Sequence, residues 1–468
     1  MEFKENIKFL SYLKTGVNWK LLFIIFLFQF LPTLYKTARI YFLGTLPDEN
    51  TFNIASQVLW LSILYEIIIE SIVIPLFFVF SKIREENKEN NKEFGSIFTF
   101  MSIIIFLIYL IFTLIIYANV ENILSGLIIN DNNLFNKSSD YIKLEVWGIF
   151  LYSIFSYLFL AVTIFRMEKY LLISFLACIF YTSSSLLLDL FLISNFNFSL
   201  KLSVNGIGIN SIIVNSICSI TFIIYLFFKR VLLWKINFSN LKIQQKYLKK
   251  YFILFLISCI EVSVRNLCFY FMIIQPINAL NSSGIYWITN NFIWSWLLLP
   301  ISTISVYIKE TFIILKREDD IEMNNFKNEM IFYNLFITCI VLIWLTTIPV
   351  NWLFIKEVMG IKNEYQEVSK LTSILIPFYI AFAYSNIIDS IFIKEGKISF
   401  YCIQSIIVNL TVYPVYFILW KLNIWIPTLN SISIMFGVGM LVHFIIDIPL
   451  LFLFLKQKQF KFRKTIRL

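Results

Sequence analysis

Twelve stretches of about 20 largely apolar residues follow one another along this chain, and no other feature restricts its fold as strongly. An α-helix rises about 1.5 Å per residue, so each stretch is long enough to cross the roughly 30 Å hydrocarbon layer of a bilayer. They fall near residues 20–43, 58–80, 96–118, 142–164, 170–193, 206–228, 250–274, 286–308, 330–352, 371–393, 398–420 and 431–455. A barrel is excluded because its strands alternate polar and apolar residues over about ten positions, whereas Leu21-Leu22-Phe23-Ile24-Ile25-Phe26-Leu27-Phe28 does not. Helices satisfy every backbone group within the segment itself. The expected fold is therefore all-α, a polytopic membrane protein of about twelve transmembrane helices. Composition agrees: 59% of the 468 residues are hydrophobic, 15% are charged and mean hydropathy is +0.78. Soluble chains run near 45–50% apolar and about 25% charged, so a water-soluble globule could not cover this much apolar surface.

The net charge of +10 would suit a nucleic-acid partner if the basic residues clustered on one soluble face. They do not. With the amino terminus placed in the cytoplasm, the outside loops hold only Lys137, Lys143, Lys201, Lys356, Lys362, Lys370 and Lys421. Lys36, Arg39 and Arg265 fall within apolar stretches, and the rest of the 39 Lys and Arg lie in inside loops and tails. The positive-inside bias puts both termini in the cytoplasm and the chain in the cytoplasmic (inner) membrane as a multi-pass protein. The tail from Lys456 to Arg467 is placed to touch anionic headgroups or to serve as a topology anchor. Nucleic acid has no role in this reading, and membrane lipids are the expected partners of a monomer.

The six cysteines, Cys178, Cys218, Cys259, Cys268, Cys339 and Cys402, all sit in apolar segments without metal-ligand spacing and read as small apolar residues. The basic amino terminus lacks a small-residue cleavage site before the first apolar run, so that run is expected to be retained. No glycine-rich phosphate loop is present, which argues against direct use of ATP, and no cofactor is expected.

Near the middle, Lys229 to Lys250 is the longest polar stretch between spans and reads as a cytoplasmic linker joining 1–228 to 251–468. At one constant offset Ile164-Phe165 meets Ile391-Phe392, Glu168 meets Glu395, Trp60 meets Trp287 and Tyr157 meets Tyr384. That offset superposes six spans on six without a gap. An even number of spans per half makes the repeats parallel, two six-helix bundles related by a pseudo-twofold along the membrane normal.

Several motifs, taken in order, resemble the multidrug and toxic compound extrusion (MATE) family, within the superfamily that includes polysaccharide and lipid-linked precursor flippases. SSSLLLDLFLI with Asp189, followed by NGIGINSIIVNS from Asn205, is similar to the family's Asn-x-x-x-Asp helix and Gly-x-x-Gly-x-Ala turn, with Ser185 in place of the asparagine. ISCIEVSVRN and FIWSWLLLPISTISVYIKE resemble its glutamate-bearing helix and its Pro-x-Ser stretch, here Pro300 and Ser302. LEVWGIFLYSIF matches Trp-Gly-Ile-Pro with Phe150 replacing proline, and IMFGVGMLVHFIIDIPLLFLFLK fits the carboxyl end. The resemblance implies a V-shaped pair of bundles exporting a substrate against inward Na+ or H+.

Charges inside spans cost roughly 2.5 to 3.5 kcal/mol each on insertion scales and usually face the protein interior. Glu261 and Arg265, four apart, share a face of the seventh span and can pair. The resemblance makes Glu261 the cation-binding carboxylate, the one position where Na+ would be held, with Asp389 and Asp189 as weaker cation candidates and Asp447 a further weak candidate; Asp389 is displaced by a turn or two from the family's position. The first span departs from the family, carrying Lys36 and Arg39 where a carboxylate is expected. Glu66 and Glu70 stand on one face of the second span and should share a proton, hold a cation or reach Lys36 and Arg39; in the last case Lys36, Arg39, Glu66 and Glu70 form one cluster, either structural or gripping an anionic substrate. Arg265, Asn290 and Trp294 complete the substrate-binding candidates, and Tyr286, Trp287, Trp294 and Trp296 could line a cleft for flat organic cations, an interfacial belt being the alternative. The single histidine, His443, reads as a packed residue.

The expected function is non-enzymatic: MATE-like efflux of a small organic, cationic or drug-like substrate. The alternative is a flippase for an anionic lipid-linked saccharide, which would use Lys36 and Arg39 to hold phosphate. A membrane-bound acyltransferase is remote, because His443 has only Asp447, one turn away, as a companion.

Overall fold

A computed structural model of the chain describes residues 13, 16–73, 75–76, 91–127, 129, 131–164, 170–233, 245–311, 320–395 and 397–457. No strand occurs among these residues. Eleven helices are long and apolar enough to cross a membrane: α1 Trp19–Gly44, α2 Thr51–Val73, α3 Phe98–Gly126, α4 Asn132–Phe159, α5 Leu172–Leu192, α6 Asn205–Phe228, α7 Tyr251–Ala279, α9 Phe326–Val358, α10 Tyr365–Lys394, α11 Ser399–Lys421 and α12 Leu429–Lys456. The eighth, α8, is the pair Ser283–Leu297 and Leu299–Thr311, bent by 55° at the join, and counting it as one span brings the number to twelve. The fold class expected from hydropathy is the one observed.

The departures from straight helix have local causes. Pro300 lacks the N–H that would bond back into the preceding turn and its ring crowds that turn's carbonyl, so Ile293–Leu297 widens into a π turn and the helix bends before continuing. Pro276 follows the π turn Tyr270–Ile274 in α7 in the same way. The π turn Ile69–Val73 in α2 carries Glu70 and is followed by Pro75 at the same spacing. Such bulges recur at functional sites, and this one rotates Glu70 relative to Glu66.

The chain packs as two compact units. One contains 34–288 with 356–364, the other 1–33, 289–355 and 365–468. These units cut across the expected halves 1–228 and 251–468. The reason is packing: Asn266 on α7 donates to the Ile63 carbonyl of α2 at 3.3 Å, and Thr33 on α1 donates to the Ser295 carbonyl of α8 at 3.1 Å. Most of the expected linker, 234–244, and the basic tail from residue 458 lie outside the described residues.

In the 34–288 unit, α4 and α6 approach closely because glycines line the contact. A Cβ built on Gly148 would stand 2.5 Å from the Ser211 Cβ, and one on Gly208 would stand 2.7 Å from the Leu144 Cβ. Trp60, Tyr65 and Tyr109 fill the space beside them, with Tyr65 and Tyr109 stacked at 6.2 Å. In the other unit α10 packs on α12 and α8, where Ser305 and Ser390 hydrogen-bond at 2.7 Å and Phe392 meets Phe454 edge-on. Large side chains such as Ile111, Ile115, Leu176, Leu187 and Ile445 remain exposed on the spans. Water would penalise that surface by about 25 cal/mol per Å², whereas hydrocarbon covers it without cost.

Candidate ion and substrate sites

Among the described residues, three groups of ionisable side chains lie inside the spans, each within one unit. The first joins α1, α5, α6 and α4. Arg39 donates from Nε to Asp189 Oδ2 at 2.7 Å and from Nη2 to Oδ1 at 3.3 Å. Nη2 also donates to the Tyr35 hydroxyl, one turn earlier, with the guanidinium 4.7 Å over that ring. Asp189 is fully buried and receives a further hydrogen bond from Asn210, whose amide also donates to the Ser185 carbonyl at 2.7 Å. Glu145, buried on α4, accepts from Ser211 at 3.2 Å and lies within electrostatic reach of Arg39. Two carboxylates thus share one guanidinium.

The second group joins α2 and α7. Arg265 donates to Glu261 Oε1 at 3.1 Å and, through Nη2, to Glu70. Glu66 is exposed and also feels the guanidinium. Glu261 is 2% exposed, whereas the Arg265 and Glu70 side chains are 30% and 32% exposed, so a buried carboxylate, a half-buried guanidinium and a half-buried carboxylate meet, with Glu66 beside them.

The third group joins α10, α11 and α12. His443 Nε2 stands 3.3 Å from Asp389 Oδ2 and 3.6 Å from Asp447 Oδ2. Gln404 donates to Asp389, and Ser385 donates to the fully buried Asp447. One ligand atom from each of Asp389, His443 and Asp447 lies within 4.8 Å of the others, close enough for the three to converge on one ion.

This arrangement corrects the expected four-residue cluster. Arg39 is committed to Asp189, and Glu66 and Glu70 belong with Arg265, because the partners are set by which helices pack rather than by nearness in sequence. Lys36 is exposed and has no ion-pair partner among the described residues. The aromatic residues do not act as one set: Tyr286 and Trp287 are buried core, whereas Trp294 is 43% exposed and packs against Tyr379 and Phe382. Asn290 is half-buried one turn before Trp294. Sequence reasoning overlooked Glu145, although it lies inside a predicted span, and read His443 as packing; the His443/Asp447 spacing of four was the available signal.

Helix lengths, hydropathy and these intramembrane charges define a polytopic α-helical membrane protein. More particularly, its fold is that of MATE transporters of the MOP superfamily. A multidrug resistance MATE family transporter of that superfamily matches in its outward-facing conformation with a TM-score of 0.64, 15% identity and coverage of 94% of this chain and 95% of that one. An inward-facing conformation matches with a TM-score of 0.66, 15% identity and coverage of 91% and 95%. A MOP superfamily transporter from Pyrococcus furiosus matches with a TM-score of 0.61, 16% identity and coverage of 94% and 95%. No family model and no curated protein matches the sequence. The resemblance read from the motifs is thus borne out at the level of fold.

Proposed function

We propose that the chain is a secondary active transporter that exports a small organic substrate by alternating access, driven by inward movement of Na+ or H+. The observation that carries this reading is the charge imbalance on α2 and α7. Among the described residues, Glu66, Glu70 and Glu261 gather about the guanidinium of Arg265 inside apolar spans. Carboxylates so placed cannot all remain ionised without another cation, so the group takes up H+ or Na+. A cation on Glu261 releases Arg265 toward Glu70, and a cation on Glu70 or Glu66 returns it, which couples ion occupancy to the pairing of the two helices. Asp189, held by Arg39 and Asn210, and Asp389 are secondary cation positions. The protein works as a monomer in the cytoplasmic membrane with both termini inside.

In everted vesicles, wild-type protein is expected to accumulate a cationic dye under an imposed Na+ or H+ gradient. Glu261→Gln is expected to drop to the gradient-free baseline while inserting and folding normally. Undiminished gradient-driven uptake by the variant would remove the coupling role.

A second reading, a flippase for an anionic lipid-linked saccharide, is favoured by Lys36, an exposed ammonium within α1. The Pyrococcus furiosus neighbour is described as having a binding pocket of reverse polarity that suggests a different function. Arg39 is neutralised by Asp189, so Lys36 is the charge on α1 that suits a phosphate-bearing substrate.

A further inference from the structure

We propose that Asp389, His443 and Asp447 form a binding site for a divalent first-row transition-metal ion of the Zn2+ type, independent of the coupling carboxylates on α2 and α7. Two four-residue spacings build it: Ser385 and Asp389 share one face of α10, and His443 and Asp447 share one face of α12. These two helices pack against each other within one unit, so the four side chains converge.

The distances suit a metal better than a direct ion pair. Bonds of about 2.0 to 2.2 Å at tetrahedral or octahedral angles separate neighbouring ligand atoms by about 3.0 to 3.5 Å. The imidazole Nε2 stands 3.3 and 3.6 Å from the two carboxylates. A charge-assisted N–H···O bond would be near 2.7 to 2.9 Å. Each carboxylate is also oriented from behind, Asp389 by the Gln404 amide and Asp447 by the Ser385 hydroxyl, as outer partners orient metal ligands.

A second observation points to an occupant. Asp447 is fully buried, and its Oδ1 has no hydrogen-bond partner. A buried carboxylate oxygen in an apolar span demands a proton or a cation. With the imidazole neutral, as ligation requires, the two carboxylates face, among the described residues, the ammonium of Lys309, which lies within electrostatic reach of Asp389. The site therefore keeps negative charge for a cation. One imidazole and two carboxylates select a Zn2+-like ion over Ca2+ or Mg2+, which prefer all-oxygen shells. The side chains of His443 and Asp389 are 22% and 14% exposed, so protein atoms do not seal the site completely.

The test uses the purified full-length chain in detergent, stripped with chelator and then equilibrated with Zn2+ or Co2+. The wild type is expected to retain one Zn2+ per chain and to give the intense d–d absorption of four- or five-coordinate Co2+. Ser385→Ala is expected to weaken Zn2+ binding by about tenfold to a hundredfold, and His443→Gln by more. Glu261→Gln is expected to bind as wild type, so this measurement stands or falls apart from the coupling assay. Less than stoichiometric Zn2+ in the wild type, the weak spectrum of hexaaquo Co2+, or equal binding by His443→Gln would overturn the site. If His443→Gln does not fold, the wild-type Co2+ spectrum and Ser385→Ala decide alone.

Discussion

Arg39 and Asp189 stand 150 residues apart in the chain and 2.7 Å apart in space, tying α1 to α5 within the spans. The carboxylate is 1% exposed and the guanidinium 18%. A buried pair adds little net stability compared with apolar packing, yet removing one partner leaves a charge that nothing solvates. Arg39→Met is therefore expected to destabilise the purified protein by about 3 to 5 kcal/mol. Adding Asp189→Asn should recover most of the loss, because the orphaned charge is gone. Thermal unfolding followed by tryptophan fluorescence checks both; a single variant that melts like wild type would show the pair to be dispensable.

The contact between α4 and α6 gives a sharper steric expectation. Gly148→Ala places a methyl 2.5 Å from the Ser211 Cβ, which a helix backbone on each side prevents from moving away. Overpacking of this kind costs about 1 to 3 kcal/mol. Gly126→Ala serves as the control, since its Cβ meets only the Tyr270 hydroxyl at 3.6 Å, an ordinary contact. The first variant should melt lower and the second should not; equal melting temperatures would mean that α4 and α6 are farther apart than the geometry implies.

Asp48, in the connection between α1 and α2, lies outside the spans and accepts from Lys137 at 2.5 Å. Partial burial pushes its carboxyl up, but the Lys137 hydrogen bond and the Asn50 backbone N–H outweigh this and hold it below its ordinary value of 3.8. A depressed carboxylate contributes stability that is complete above the unfolded value and is lost as pH falls through the folded one. The half-exposed pair is worth under about 1 kcal/mol. Lys137→Met should therefore narrow the acid-side loss of melting temperature below about pH 4 and leave neutral pH unchanged to within that amount. A loss appearing between pH 6 and 8 would contradict the assignment.

How much of this was legible follows from what hydropathy records. The twelve spans were, because a run of Leu, Ile and Phe fixes both helix and length. Glu261 with Arg265 was as well, since a spacing of four on one helix needs no tertiary information. Arg39 with Asp189 was not: it depends on the rotation of one helix against another, and nearly uniform apolar faces leave no stripe from which to read that rotation. The same limit misassigned Glu66 and Glu70 to Lys36 and Arg39, and it hid the approach of Asp389 to His443. Prolines 75, 276 and 300 marked three of the breaks, the first beside the π turn that carries Glu70.

Lys36 decides between the two proposed substrate classes. It lies on α1, exposed, one turn from Arg39, whose like charge it feels, and without an ion-pair partner among the described residues. Lys36→Met therefore orphans no buried counter-charge, unlike Arg39→Met, and its melting temperature should stay within the roughly 0.5 kcal/mol typical of exposed substitutions. Any change in transport then reports on substrate charge and not on folding. If the protein exports organic cations, an ammonium on the route repels them, and Lys36→Met should leave dye uptake unchanged or raise it. If it moves an anionic lipid-linked saccharide, Lys36 holds phosphate as a point charge. A charge-assisted contact of that kind contributes about 1.5 to 3 kcal/mol, so the variant should move the lipid some tenfold to a hundredfold more slowly. Lys36→Arg, which keeps the charge, should restore lipid movement in that case and do nothing for the dye. Paired assays in reconstituted vesicles, one with a cationic dye and one with a polyprenyl-phosphate sugar, separate the outcomes. A Lys36→Met protein that loses dye uptake and folds normally would count against the organic-cation reading.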